Sequence, residues 1–323
     1  MSISLLAGLT HEIGIYDHSD AGYGVKPKEV AMILLTGATG VAGSAIANEF
    51  VAQREPVRVL VRNRAKAKWL EEVPTVEIVE GDMANRNSLA TALDGIDRVL
   101  MISAPLMDMV ETQRKFIDAC KAVGVRHVIK FSGLDARPDT RFPFGLMHLE
   151  IEKYLEKSGL AWTQLRPTGF MQEYLREAPS IIHDAALYLA LGDVRLNPID
   201  VIDVAKVGFL LLRDGGHEGK RLPLTGPEAL AMAEIADRIS HAIGKTVRYV
   251  PISPEQCLQT LKAHGIPQET ADALDEQVKE RLKGGLESQV DLSTHRLFNI
   301  KPTTFLEFAQ RNAETFGGAS AAS

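Results

Sequence analysis

From Met32 onward, short runs of apolar and β-branched residues alternate with stretches in which apolar positions recur every three to four residues. Runs of the first kind at 32–35, 57–61, 76–80, 98–102, 127–131 and 162–166 predict six strands. Stretches of the second kind at 42–53, 65–70, 88–93, 110–123 and 146–157 predict the helices between them. Strands separated by helices need crossover connections, so the expected fold is α/β with a doubly wound parallel sheet. The near-continuous apolar character of the strands fits a sheet covered on both faces.

After Arg166 the rhythm changes to helices with short strand-like pieces such as 220–224 and 247–251. The expected division is a nucleotide-binding domain over 31–165 and a smaller α+β substrate part over 166–316, some of whose segments return to the core. A short tail, 317–323, follows. Residues 1–30 are glycine-rich and lack periodicity, so they read as an appended arm; a start at Met32, which would make the arm non-native, stays open.

Composition narrows the function classes. A net charge of −6 over 323 residues supplies no basic field for a long nucleic acid. No apolar run approaches the ~20 residues that cross a bilayer. The first thirty residues carry no targeting signal, so the cytoplasm is the expected compartment. The two cysteines, Cys120 and Cys257, fall in helical segments and are expected to pack; no metal site is expected.

The first candidate chemistry follows the first strand. Thr36-Gly37-Ala38-Thr39-Gly40-Val41-Ala42-Gly43 places three glycines at every third position, between a strand and a helix. A dinucleotide needs this arrangement: a tight turn, a backbone open to the pyrophosphate, and a helix N-terminus aimed at the anion. In this context the motif marks a Rossmann-type NAD(P) site. The end of the second strand then discriminates between cofactors. Arg62, Asn63 and Lys66 stand where NADH binders carry an acid, which favours NADPH, with NADH the weaker alternative. Asp82 and Met83 after the third strand, Ser103, Ala104 and Pro105 after the fourth, Ser132 and Gly133 after the fifth, and Pro167 at the sixth complete the expected cofactor contacts.

The glycine motif and strand pattern resemble the short-chain dehydrogenase/reductase family, whose usual proton donor is a Tyr followed four positions later by Lys. None of the six tyrosines here is so followed. More specific stretches, Val128-Ile129-Lys130-Phe131-Ser132-Gly133, His148-Leu149-Glu150-Ile151-Glu152, Leu165-Arg166-Pro167-Thr168-Gly169-Phe170-Met171, Ile199-Asp200-Val201-Ile202-Asp203 and Lys301-Pro302-Thr303-Thr304-Phe305, resemble the NmrA-like, atypical branch of that family. That resemblance implies NADPH-dependent quinone, azo-dye or triphenylmethane-dye reductases, or redox-sensing regulators that act through a protein partner.

In isoflavone-reductase-like members of the branch a helical Lys is implicated in catalysis; here the equivalent position is His148, the candidate proton donor. Lys130 reads as a strand residue in contact with the covering helix or the strand end. Met107, Phe142, Met147, Phe170, Met171 and Tyr174 are the expected wall for a small aromatic substrate. Acceptors that spread incoming charge over a π-system need a proton donor least, so a planar electron-poor acceptor is expected in place of a simple ketone. The competing reading is an NADP(H) sensor without turnover. The oligomeric state is not legible.

Overall fold

The computed structural model describes residues 32–317; the arm expected over 1–30 and the tail residues 318–323 lie outside the described residues. The first half runs β1 (Met32–Thr36), α1 (Val41–Gln53), β2 (Val57–Val61), β3 (Val76–Glu80), α2 (Arg86–Ala92), β4 (Ile96–Met101), α3 (Met109–Val123), β5 (His127–Phe131), α4 (Pro143–Lys157) and β6 (Ala161–Pro167). A 3₁₀ turn, Arg64–Leu70, stands where a helix is expected after β2; it kinks at Ala67 and is capped by Asn63 Oδ1, which accepts from Ala65 N. Helix α4 starts three residues earlier than its apolar periodicity indicates, because Pro143 sits in its first turn with a pre-set φ.

The second half runs α5 (Ala178–Asp184), β7 (Ala186–Leu189), β8 (Arg195–Leu196), α6 (Val201–Asp214), β9 (Lys220–Leu224), β10 (Leu230–Ala231), α7 (Met232–Ile243), β11 (Arg248–Pro251), α8 (Pro254–Ala263), α9 (Gln268–Leu282), α10 (Ser293–Leu297) and α11 (Phe305–Arg311). The run 220–224, one of the strand-like pieces of the 166–316 part, returns to the core as the seventh strand of the main sheet. The order is β3-β2-β1-β4-β5-β6-β9, and every pairing is parallel.

One core lies between the sheet and helices α1 and α6, where Phe50 and Phe209 meet edge to face at 4.9 Å. The other face is covered by α2, α3 and α4, with Phe116, Ile117, Cys120, Ile151 and Leu155 buried; Cys257 is half-buried. A third core belongs to the C-terminal part and joins Tyr174, Ile235, Phe305 and Phe308. Two of the family-like stretches hold each other. Asp203 accepts from Thr303 N at 2.7 Å and Thr303 Oγ1 at 3.0 Å, and Arg311 pairs with the buried Asp200, so the last helix is tied to the head of α6.

Because all seven strands run the same way, every loop named as a candidate site opens on one edge of the sheet. The strand order reverses between β1 and β4, and in open α/β sheets the ligand crevice lies at that switch point.

Candidate functional site

The crevice begins at the glycine turn. Thr36 closes it from below: its Oγ1 donates to Ile102 O at 2.7 Å and accepts from Ile102 N at 2.8 Å, bolting β1 to the end of β4. Gly37 has φ +70°, and a Cβ there would meet Ile102 Cβ at 2.9 Å. A Cβ at Gly43 would lie 2.1 Å from Gly37 O, so α1 can pack this close to the turn only without a side chain there. Gly40 differs. It is exposed, and a Cβ built on it meets only Gly37 O, at 3.4 Å.

Helix α1 starts beyond Gly40 with no side-chain cap and no acid in its first turn. Its positive end is left for an external anion. Ala38 and Ala42 turn their methyl groups into the core, and Thr39 and Val41 are half-buried, so this stretch offers a ligand chiefly its backbone amides.

Beside the turn, on the β2 side, Arg62 and Lys66 are exposed, and neither makes an ion pair or side-chain hydrogen bond among the described residues. Their neighbours are engaged: Asn63 caps the 3₁₀ turn, and Arg64 reaches Glu71 Oε1 at 3.2 Å and Ile78 O at 3.3 Å. After β3, Asp82 Oδ1 accepts from Ala84 N at 2.8 Å and shapes its own loop. Met83, expected among the cofactor contacts, keeps its side chain in the core with Leu60 and Leu89, because the next helix, α2, packs down onto it.

On the β4 side, Ser103 Oγ accepts from the buried Gln113 amide at 2.8 Å, while Ala104 and Pro105 are exposed beyond it. Pro167 ends β6, and its carbonyl accepts from Leu134 N at 3.0 Å, which draws the loops after β5 and β6 together.

Between β5, β6 and α4 the structure gathers polar groups whose pairing the sequence does not announce. His148 and Glu152 are one turn apart on the inner face of α4. Glu152 is fully buried; it accepts from Ser132 Oγ at 2.6 Å and from Arg166 Nε at 2.9 Å, with a second contact from the same guanidinium. His148 is half-buried, and its Nδ1 lies 2.9 Å from Nζ of Lys130, which also donates to Phe131 O at 3.0 Å. Lys130 is fully buried. Burial pushes its ammonium down to about 7, with Glu152 opposing and Arg166 reinforcing the shift. Burial, then the charges of Lys130 and Arg166, hold His148 well below its usual range, so its imidazole is neutral at physiological pH.

The expected substrate wall divides. Met107 is exposed, and Met147 and Phe170 are half-buried, with Phe170 6.4 Å from the Phe131 ring. Phe142 packs edge to face on Phe144 at 5.6 Å under Ala273 of α9, leaving little surface. Met171 is corrected outright: at 1% exposure it belongs to the C-terminal core, because the chain enters a 3₁₀ turn after Phe170 and points consecutive side chains in different directions. Tyr174 is also buried, but one edge lines a cavity with Phe170, Glu173, Leu189, Arg281 and Glu287. There Arg281 Nε donates to Glu287 at 2.7 Å. Among the described residues no group of acidic, His or Cys side chains could hold a metal, and no helix is long and apolar enough to cross a membrane.

The chain is similar to known proteins along most of its length. The chain is 35% identical over 288 residues to the NAD(P)H azoreductase of Xenophilus azovorans, covering 89% of this chain and all of that one. Among solved structures, the NADPH-dependent quinone oxidoreductase of Escherichia coli, complexed with NADPH, superposes with a TM-score of 0.77 at 30% identity, covering 87% of this chain and 99% of that one. The Citrobacter triphenylmethane reductase complexed with NADP(H) shares the fold, at 24% identity, a TM-score of 0.77, and coverage of 87% and 99%. The NmrA-like family model matches residues 29–309, a span that takes in the described chain from β1 into α11. With a relative aligned along its whole length as well, this chain belongs to the NmrA-like family.

Proposed function

We propose that the protein is an NADPH-dependent reductase that passes hydride to a planar, electron-poor acceptor such as an azo compound or a quinone. One observation carries the reading: at the switch point, an uncapped helix end faces a glycine turn that is closed on the protein side and open at Gly40. The names of the azoreductase and quinone oxidoreductase relatives support the same chemistry.

The residues fit the dinucleotide. Backbone amides from Gly37 to Gly43 would hold the pyrophosphate, and Arg62 and Lys66, which make no ion pair or side-chain hydrogen bond among the described residues, would take the 2′-phosphate. The loop at Asp82 lies on the adenosine side; Ser103 to Pro105, Ser132, Gly133 and Pro167 lie on the nicotinamide side. When bound, the nicotinamide supplies the hydride. Met107, Met147 and Phe170 would flank the acceptor, and His148 would give it a proton from Nε2.

Arg62→Ala is expected to weaken NADPH roughly tenfold and NADH hardly at all, the scale of one exposed charge-assisted contact. Equal losses in parallel titrations would remove Arg62 from the 2′-phosphate site. His148→Ala is expected to lower kcat roughly a hundredfold with an azo acceptor, less with a quinone, at unchanged NADPH affinity. Unchanged kcat would leave His148 a structural residue.

The direct test is NADPH oxidation by the purified protein with quinones, azo dyes and triphenylmethane dyes, and NADH run in parallel. Turnover with NADPH preferred is the expected result. Tight NADPH binding with no turnover across the panel would replace the reductase with a sensor.

A further inference from the structure

We propose that Lys130 acts through His148 as its proton supply: Nζ donates to Nδ1, which fixes the imidazole proton on Nε2 and replenishes the ring once that proton has gone to the reduced acceptor. The inference rests on the reductase reading and deepens it.

The geometry gives each ring nitrogen one task. Nδ1 is 2.9 Å from Nζ, and an ammonium can only donate, so Nδ1 is the acceptor and the neutral ring carries its hydrogen on Nε2. Nε2 has no hydrogen-bond partner among the described residues and is not among the side-chain atoms cut off from solvent. The Cδ2 edge next to Nε2 faces Gly133, where a Cβ would sit 3.8 Å away. That glycine follows β5 on the same sheet edge as the glycine turn. Lys130 is held in place by Phe131 O at 3.0 Å and has no exposed surface, so His148 is its route outward.

The charged groups facing the pair are Glu152 on α4 and Arg166 on β6, and their mutual ion pair leaves the Lys130 proton as the movable one. In the transfer, hydride from the nicotinamide reaches the acceptor, the Nε2–H bond breaks and an O–H or N–H bond forms on the reduced acceptor. One Nζ–H bond breaks as Nδ1–H forms, leaving a neutral amine and a neutral imidazole. A proton from water then adds to Nε2 while Nδ1–H returns to Nζ, so one solvent proton is consumed per turnover. Lys130 is a positioning residue; His148 touches the acceptor.

A buried ammonium with a pKa near 7 loses its proton as pH rises through neutrality, so kcat with an azo acceptor should fall above about 7. Lys130→Met, close to isosteric and apolar, should abolish that fall and lower kcat roughly tenfold, with KM for the acceptor and NADPH affinity unchanged. Nitrogen-15 NMR of the full chain, with and without NADPH, reads the pair directly, the His148 signal being assigned by its loss in His148→Ala. The expected wild-type signal is a neutral ring protonated on Nε2 down to mildly acidic pH; in Lys130→Met it should titrate closer to its ordinary value. A wild-type ring protonated on Nδ1, or one titrating at the ordinary histidine value, overturns the proposal. Reduction with a flat pH profile in the wild type overturns the relay while the reductase stands. An Nε2–H ring in a protein that reduces none of the acceptors overturns the reductase reading, and the relay with it.

Discussion

Replacing Gly40 with valine is expected to abolish NADPH binding while leaving the protein folded. The backbone at Gly40 is extended, with φ −97° and ψ 171°, which a β-branched residue adopts readily. The new Cβ meets nothing closer than Gly37 O at 3.4 Å, an ordinary contact. The side chain therefore has room on the protein side and projects into the space a pyrophosphate must enter to reach the amides at the head of α1. Losing two backbone-to-phosphate hydrogen bonds, each worth about 1.5–3 kcal/mol, corresponds to a hundredfold or greater loss of affinity. Gly43→Ala is the contrasting change. Its methyl group would stand 2.1 Å from a backbone oxygen, so the turn and helix must separate, and a lower melting temperature should accompany weaker binding. The pair is read by calorimetric titration with NADPH and by thermal unfolding. Gly40→Val that binds NADPH within severalfold of the wild type would show that the turn is architectural only.

That turn was readable because everything it needs is local: a strand, three glycines at fixed spacing and a helix, all within a short stretch of chain. The position of Arg62 is readable for the same reason, since the residue that follows β2 lies beside the turn in any doubly wound sheet. The polar cluster at the other side of the crevice comes from three consecutive elements, β5, α4 and β6, whose side chains meet only once the helix has crossed back over the sheet. Arg166 and Ser132 each stood out within a family-like stretch, but nothing in one sequence says that both close on Glu152. The available signal was the spacing of His148 and Glu152, which puts them on one helix face, together with a lysine among the apolar residues of β5. Reading Lys130 as a contact with the covering helix or the strand end leaves both open; the structure shows the first, since the covering helix brings His148 over Lys130, and the sequence alone does not say which helix residue that is. The inward turn of the Met83 and Met171 side chains is hidden for a related reason. Position after a strand end says which loop a residue occupies, while the following turn decides whether its side chain faces the crevice or the core. The seventh strand is visible as a strand but not as a member of the main sheet, since α5, β7, β8 and α6 separate it from its neighbour β6.

Arg166→Met is expected to destabilise the fold by about 3–5 kcal/mol, the cost of leaving a buried carboxylate without its counter-ion. Glu152 has no exposed surface, and of its two donors only Ser132 Oγ, at 2.6 Å, survives the change. Methionine fills much of the volume of the arginine stem, so the loss reports charge and hydrogen bonding more than a cavity. A urea titration should show a lower midpoint with an unchanged slope, because the surface exposed on unfolding hardly changes. Glu152→Gln in the Arg166→Met background removes the unpaired charge while keeping an acceptor for Ser132, and should recover most of the loss. That non-additivity would assign the energy to the pair and not to either residue. The consequence reaches the chemistry. Lys130 and His148 sit beside this ion pair in a space whose low polarity depends on Glu152 and Arg166 neutralising each other. A loss below about 1 kcal/mol would mean that water already reaches the carboxylate. In that case Lys130 would be hydrated as well, its ammonium would return towards the ordinary lysine range, and the fall in rate above neutral pH would move with it.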